Sequence, residues 1–166
     1  GAGTSAEFND SEGVLFAEVA FTEEAISSFV TISDGTDDER ITIYRVGSLF
    51  PNKIQGQIRE GNTARVSFGF DTNYTDINNK VALKYKANDS AFWVNGFKVS
   101  TDTSNSLIPD NLNTLQFAEG DSDNPFYGKT KQLIAFDAAL TDEELEDLTS
   151  WDSFEEMAVS QLYTLY

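Results

Sequence analysis

Apolar and polar positions alternate with a period of two through most of the chain. Val14, Phe16, Glu18 and Ala20 interleave with Leu15, Ala17, Val19 and Phe21, which predicts a strand apolar on both faces. Runs rich in β-branched and aromatic residues follow at 29–33, 40–45, 53–59, 64–70, 81–86, 91–100, 115–118 and 127–136. Gly, Asn, Asp and Pro punctuate them at short intervals. About ten short strands with small turns and no helices between them mean antiparallel pairing. Two sheets packed face to face bury such half-apolar strands, so the expected class is an all-β, antiparallel two-sheet sandwich.

Asn95-Gly96 gives the sharpest local expectation. Both residues tolerate positive φ, as a two-residue type I′ hairpin requires. That turn predicts Val94 opposite Phe97 and Phe92 opposite Val99 on one face, with Ala91, Trp93, Lys98 and Ser100 on the other. A second tight turn at Ala87-Asn88-Asp89 pairs 81–86 with 91–95, giving a three-strand meander. Val81, Leu83 and Tyr85 then share the core side, while Lys80, Ala82, Lys84 and Lys86 face outward.

The period changes near the C-terminus. Thr141-Asp142-Glu143-Glu144 is a capping box, and Leu145 and Leu148 after it mark the docking face of a short helix. Ser153-Phe154-Glu155-Glu156 repeats the capping signal, so a second short helix follows, with Trp151 anchoring the junction. Leu162, Tyr163, Leu165 and Tyr166 make the chain end apolar, suited to packing on the sandwich or on a neighbouring protomer. The expected organisation is a linker or cloning remnant at 1–8, one sandwich domain at 9–150, and a helix with an apolar tail at 151–166. With Gly1 first and no charged-then-apolar leader after it, the chain is expected to be a domain of a longer protein.

Charge and composition remove whole classes of function. Lys+Arg total 11 against 28 Asp+Glu, a net charge of -17, which repels nucleic-acid phosphates and anionic lipid surfaces. The absence of His excludes imidazole acid–base chemistry and the Ser-His-Asp triad, and the absence of Cys excludes thiol nucleophiles and thiolate zinc sites. No apolar run approaches the roughly 18 residues of a membrane-spanning helix.

Three segments carry a family likeness: VALKYKANDSAFWVNGFKV at 81–99, PFYGKTKQL at 125–133 and ALTDEEL at 139–145. Together they resemble laminin-G-like domains of the concanavalin A-like lectin/glucanase superfamily, and within it domains of phage tail-fibre and head-spike proteins, notably of Bacteroidota phages. EGVLFAEV at 12–19 and ISDGT at 32–36 fit the first strands of that pattern, and the likeness covers about 9–149. The resemblance implies a jelly-roll sandwich with short C-terminal helices, displayed on a virion or otherwise extracellular. Its implied role is non-enzymatic, receptor-binding recognition of host cell-surface glycan, with homotrimerisation through the parent fibre. A purely structural virion module and a glucanase-type glycoside hydrolase are the alternative readings.

Each candidate chemistry has particular residues. Glucanases of this superfamily carry a Glu-x-Asp-x-Glu stretch on one strand, and none occurs here: Asp37-Asp38-Glu39, Asp121-Ser122-Asp123 and Glu143-Glu144 lack the spacing, and Glu18 has no same-face carboxylate beside it. Calcium binding at a sandwich rim would draw on Asp121, Asp123 and Asn124, joined by Asp34 and Asp37 if the two loops meet. Glycan binding points to Trp93 with Lys98 and Lys84 on the outward face of the meander, and to the loop aromatics Tyr74 and Tyr127. If the C-terminal helices cover that face, Trp93 is instead core between layers.

Overall fold

Period-two alternation sorts each strand's side chains into an inner and an outer set, and those sets fix the layers. The computed structural model of the chain describes residues 6–22, 27–46, 53–71, 77–104 and 107–160. Among them are ten strands and two helices: β1 (Glu12–Phe21), β2 (Ser27–Ser33), β3 (Arg40–Val46), β4 (Lys53–Glu60), β5 (Thr63–Asp71), β6 (Asn79–Lys86), β7 (Ser90–Val94), β8 (Phe97–Asp102), β9 (Thr114–Gln116), β10 (Gly128–Phe136), α1 (Asp142–Thr149) and α2 (Phe154–Ser160). One five-stranded antiparallel sheet runs β10-β1-β6-β7-β8 and the other β5-β4-β3-β2-β9. The all-β two-sheet expectation holds.

Leu15, Ala17, Val19 and Phe21 of β1 meet Val30, Ile32, Ile41, Ile43, Ile54 and Ile58 of the facing sheet, closed by Phe68, Leu83, Tyr85 and Phe92. Gly56 makes room for Phe92: a Cβ there would lie 2.9 Å from its ring. Burial pushes the Tyr85 phenol up, and its hydroxyl donates to the Asn9 carbonyl at 3.1 Å.

The Asn95-Gly96 hairpin forms as predicted, with both residues at positive φ and Val94 opposite Phe97. One register prediction fails. A bulge between Phe92 and Trp93 sets Phe92 opposite Ser100 rather than Val99, and a local propensity argument has no way to place a bulge. Phe97, predicted inward, is 74% exposed on β8, the edge strand of its sheet, although its partner Val94 is buried.

The second apolar set of β1, Val14 and Phe16, joins Ala82, Ala91 and Trp93 on the far side of its sheet. There α1 lies as a third layer, with Leu145 fully buried and Leu148 packed beside it. The capping box is complete: the Thr141 hydroxyl accepts from the Glu144 amide at 3.3 Å, and the Glu144 carboxylate accepts from the Thr141 amide at 2.8 Å. Those contacts to Thr141, backbone first, hold the Glu144 carboxyl below its usual range. Trp151 lies in the connection between the two helices, with Lys80 Nζ 4.9 Å above its ring. The apolar tail at 162–166 lies outside the described residues.

Candidate functional site: a polar, arginine-bearing sheet face

The outer face of the second sheet is built from the polar half of the alternation. β3 contributes Arg40, Thr42 and Tyr44, and β4 contributes Lys53, Gln55, Gln57 and Arg59. Antiparallel register sets Arg40 directly opposite Arg59, Thr42 opposite Gln57, and Tyr44 opposite Gln55. Phe29 and Thr31 of β2 extend the same rows, since Phe29 pairs with Tyr44 and Thr31 with Thr42. From Lys53 to Arg59 the face runs about 20 Å at the usual strand rise.

Charge is unevenly distributed between the sheets. All four arginines of the chain lie on β3, β4 and β5, whereas six of the seven lysines lie on β6, β8 and β10. Two arginines directly across a strand pair repel and destabilise the sheet unless anions compensate them. Arg40 is compensated: its Nη1 donates to Asp37 Oδ1 and to Glu119 Oε1, each at 2.5 Å, and the side chain is 4% exposed. Arg59 donates only to neutral groups, the backbone and side-chain oxygens of Asn62.

The floor beneath these cations is ordered. Phe29 and Tyr44 stack at 5.0 Å between centroids, and Arg40 lies 5.9 Å from the Phe29 ring. Thr31 and Thr42 share a hydrogen bond of 2.8 Å between hydroxyls, and the Tyr44 hydroxyl donates to Gln55 Oε1 at 3.3 Å. Burial pushes the Tyr44 phenol up; Arg40 and Arg59 pull it back, and Glu119 adds to the rise. Among the described residues, four buried side-chain polar atoms lack a hydrogen-bond partner, and three belong to this face: Arg40 Nε, Gln55 Nε2 and Arg59 Nε. Orphaned buried donors are rare in folded proteins. Here they cluster, all of them donors, beside two guanidinium groups.

The connection from β9 to β10 borders this face at its Arg40 end. Gln116 Nε2 donates to the carbonyls of Glu119 and Gly120, and Ser33 Oγ reaches the Gly120 carbonyl at 3.5 Å. Gly120 sits so close to the β2–β3 turn that a Cβ would fall 1.8 Å from the Thr36 carbonyl oxygen. The two loops therefore do meet, as the calcium reading requires, but they assemble Asp37, Glu119 and Asp121, with ligand atoms within 4.8 Å of one another. Of Asp121, Asp123, Asn124 and Asp34, only Asp121 belongs to this group. Asp34 Oδ1 is committed to the Thr36 amide and hydroxyl, and Asn124 Nδ2 donates to Glu119 Oε2 at 2.6 Å.

Calcium takes six to eight oxygens in a flexible cage. With the Arg40 guanidinium bound to two of the three carboxylates, this donor set does not fit the ion. Millimolar calcium is expected to leave the thermal midpoint unchanged, and a rise of several degrees would place the ion there.

The other predicted sugar contacts are dispersed. Trp93 is 4% exposed beneath α1, its indole Nε1 buried without a partner, so it packs between layers and presents no open platform. Lys98 lies 5.4 Å from the Trp93 ring and pairs with Asp142 of α1. Lys84 is buried and pairs with Asp89 at 2.8 Å. Tyr127 is exposed, its amide donating to Ser28 Oγ at 2.8 Å, at the end of β2 away from Ser33, the partner of Arg40. Tyr74 lies outside the described residues. The arginine-bearing face went unrecognised in the sequence, although the outward residues of β3 and β4 spell it in alternation.

No protein-family model and no curated protein matches the chain. Solved structures do. The chain superimposes on the CBM40 of the Ruminococcus gnavus IT-sialidase, bound to α2,3-sialyllactose, with a TM-score of 0.69 and 18% identity, covering 86% of this chain and 84% of that one. The leech intramolecular trans-sialidase gives 0.62 and 21% identity, covering 88% of this chain and 24% of the enzyme. Domain 4 of AbnA, an extracellular arabinanase of Geobacillus stearothermophilus in complex with arabinotriose, gives 0.61 and 14%, covering 89% and 70%. At these identities the shared property is the fold, an antiparallel two-sheet jelly-roll β-sandwich, here with two short helices.

Proposed function

We propose that this chain is a non-catalytic glycan-binding module whose site is the outer face of β2, β3 and β4, and that it reads an acidic sugar. The observation that carries this reading is the Arg40–Arg59 cross-strand pair with its orphaned Nε donors. Arginine's planar fork suits bidentate recognition of a carboxylate, and a carboxylated sugar would give Arg59 the anionic partner that Asn62 does not supply. Gln55, Gln57 and Tyr44, none of them buried, line the adjoining rows with polar groups suited to reading hydroxyls. The R. gnavus module in complex with α2,3-sialyllactose, and the same module in complex with α2,6-sialyllactose, support sialylated glycans as the first ligands to try.

A glycosidase reading has less support. Asp37 and Glu119 do approach each other, but both converge on one guanidinium nitrogen, leaving no gap in which a scissile bond could sit between them. Display on a phage fibre or spike, as a receptor-binding domain that trimerises through its parent, rests on the sequence resemblance; finding the parent polypeptide in purified virions by mass spectrometry is its test.

The binding test is calorimetric titration with 3′-sialyllactose and with lactose. Charge-assisted hydrogen bonds favour the acidic trisaccharide by about tenfold or more. Equal affinity for the two would remove the acidic-sugar reading.

A further inference from the structure

Arg40 is bound by two carboxylates where one would neutralise it. Asp37 is near in sequence, three residues away, and arrives with the β2–β3 turn. Glu119 comes from 79 residues further along, on a loop pinned by Gln116, Ser33 and the Gly120–Thr36 contact. The two ends of the Glu119 carboxylate have separate partners: Oε1 accepts from Arg40, and Oε2 accepts from Asn124 Nδ2 at 2.6 Å. If Oε1 leaves the guanidinium, Asn124 still holds the group.

The local charge is already negative without a ligand. Arg40 and Arg59 supply two positive charges, and Asp37, Glu119 and Asp121 supply three negative ones. An acidic sugar arriving with every contact intact adds a fourth negative charge beside Glu119, in a chain already at -17. Exchange of one carboxylate for another on Arg40 avoids that repulsion at the guanidinium itself.

We infer that Glu119 is an internal competitor for the ligand, its carboxylate occupying Arg40 in the free module and yielding that guanidinium to the carboxylate of an acidic sugar. The inference rests on the glycan-binding reading and adds a specificity-setting residue to it. Glu119 lowers affinity for acidic sugars while leaving neutral ones untouched, so it sets how strong an anion the site demands.

The test is Glu119→Gln, which keeps the shape and an oxygen for Asn124 but removes the charge. Affinities for 3′-sialyllactose and for lactose are measured by calorimetry in the wild type and the variant, with thermal midpoints recorded for both. The expected result is about tenfold tighter binding of sialyllactose by E119Q, with lactose unchanged, in line with removal of one nearby like charge. Asp37→Asn, which relieves the same guanidinium from the other side, shifts affinity in the same direction and serves if E119Q does not fold. Binding by E119Q alone, with none by the wild type, also supports the inference. Unchanged or weaker sialyllactose binding by E119Q, beside a wild type that binds, overturns it and leaves the glycan reading standing. If neither protein binds sialyllactose, the reading of the site falls first and takes the inference with it.

Discussion

Arg59→Ala is expected to lower affinity for sialyllactose about 10- to 100-fold, the range that follows from losing roughly 1.5–3 kcal/mol of hydrogen bonding to a charged group. The loss is that large because Arg59 is the guanidinium on this face with only neutral partners, Asn62 and its carbonyl, and so has the most to offer an arriving carboxylate. Stability should move little, within about 0.5 kcal/mol, because the substitution also removes the repulsion between Arg59 and its cross-strand partner Arg40. Arg59→Lys should fall between the two proteins: an ammonium keeps the charge but not the paired donors. Calorimetry gives the affinities and chemical denaturation the stabilities. An R59A protein that binds as tightly as the wild type would show that the anion is read elsewhere.

Trp93→Ala should do the reverse. Truncating a large aromatic side chain in a packed interior costs about 3–5 kcal/mol, transfer and cavity terms together. Trp93 meets that condition, lying among Val14, Phe16, Ala82, Ala91 and Leu145 beneath α1. Its unpartnered indole N–H offsets a little of the loss, since removing an unsatisfied buried donor is favourable. The folded fraction should bind sialyllactose with wild-type affinity, because Trp93 belongs to the sheet opposite the arginine-bearing face. Denaturation and calorimetry on one preparation separate the two effects. Lost binding in a stable W93A protein would return the platform to the meander.

The contrast between these substitutions traces what alternation can and cannot say. It shows correctly that Trp93 points away from Phe92, and that Arg40, Thr42 and Tyr44 share one face of β3. It is silent on whether a given outward face ends in water or under a further layer. The capping box at Thr141 announces a helix, and Leu145 and Leu148 announce that it docks, but its landing place on Val14, Phe16 and Trp93 depends on contacts more than 40 residues apart. A solvent-facing strand surface is ordinarily polar, so Lys53, Gln55, Gln57 and Arg59 carry no distinguishing mark in the sequence. Only the β3–β4 register, setting Arg40 against Arg59, makes them unusual.

The acidic loops follow the same division. Asp34 behaves as local chemistry dictates, its carboxylate turned back on the Thr36 amide two residues on. Glu119 does not, because it answers to an arginine 79 residues away on a strand its own loop does not contain. Strand positions, the Asn95-Gly96 turn, the helix cap and the partition of side chains between two faces were therefore fixed by the sequence itself, because each depends on steric and hydrogen-bonding preferences within a few residues. Which face α1 covers and which distant carboxylate joins Asp37 on Arg40 were settled only by the tertiary structure. Those outcomes are decided by packing and charge between segments tens of residues apart, and no local preference encodes their relative placement.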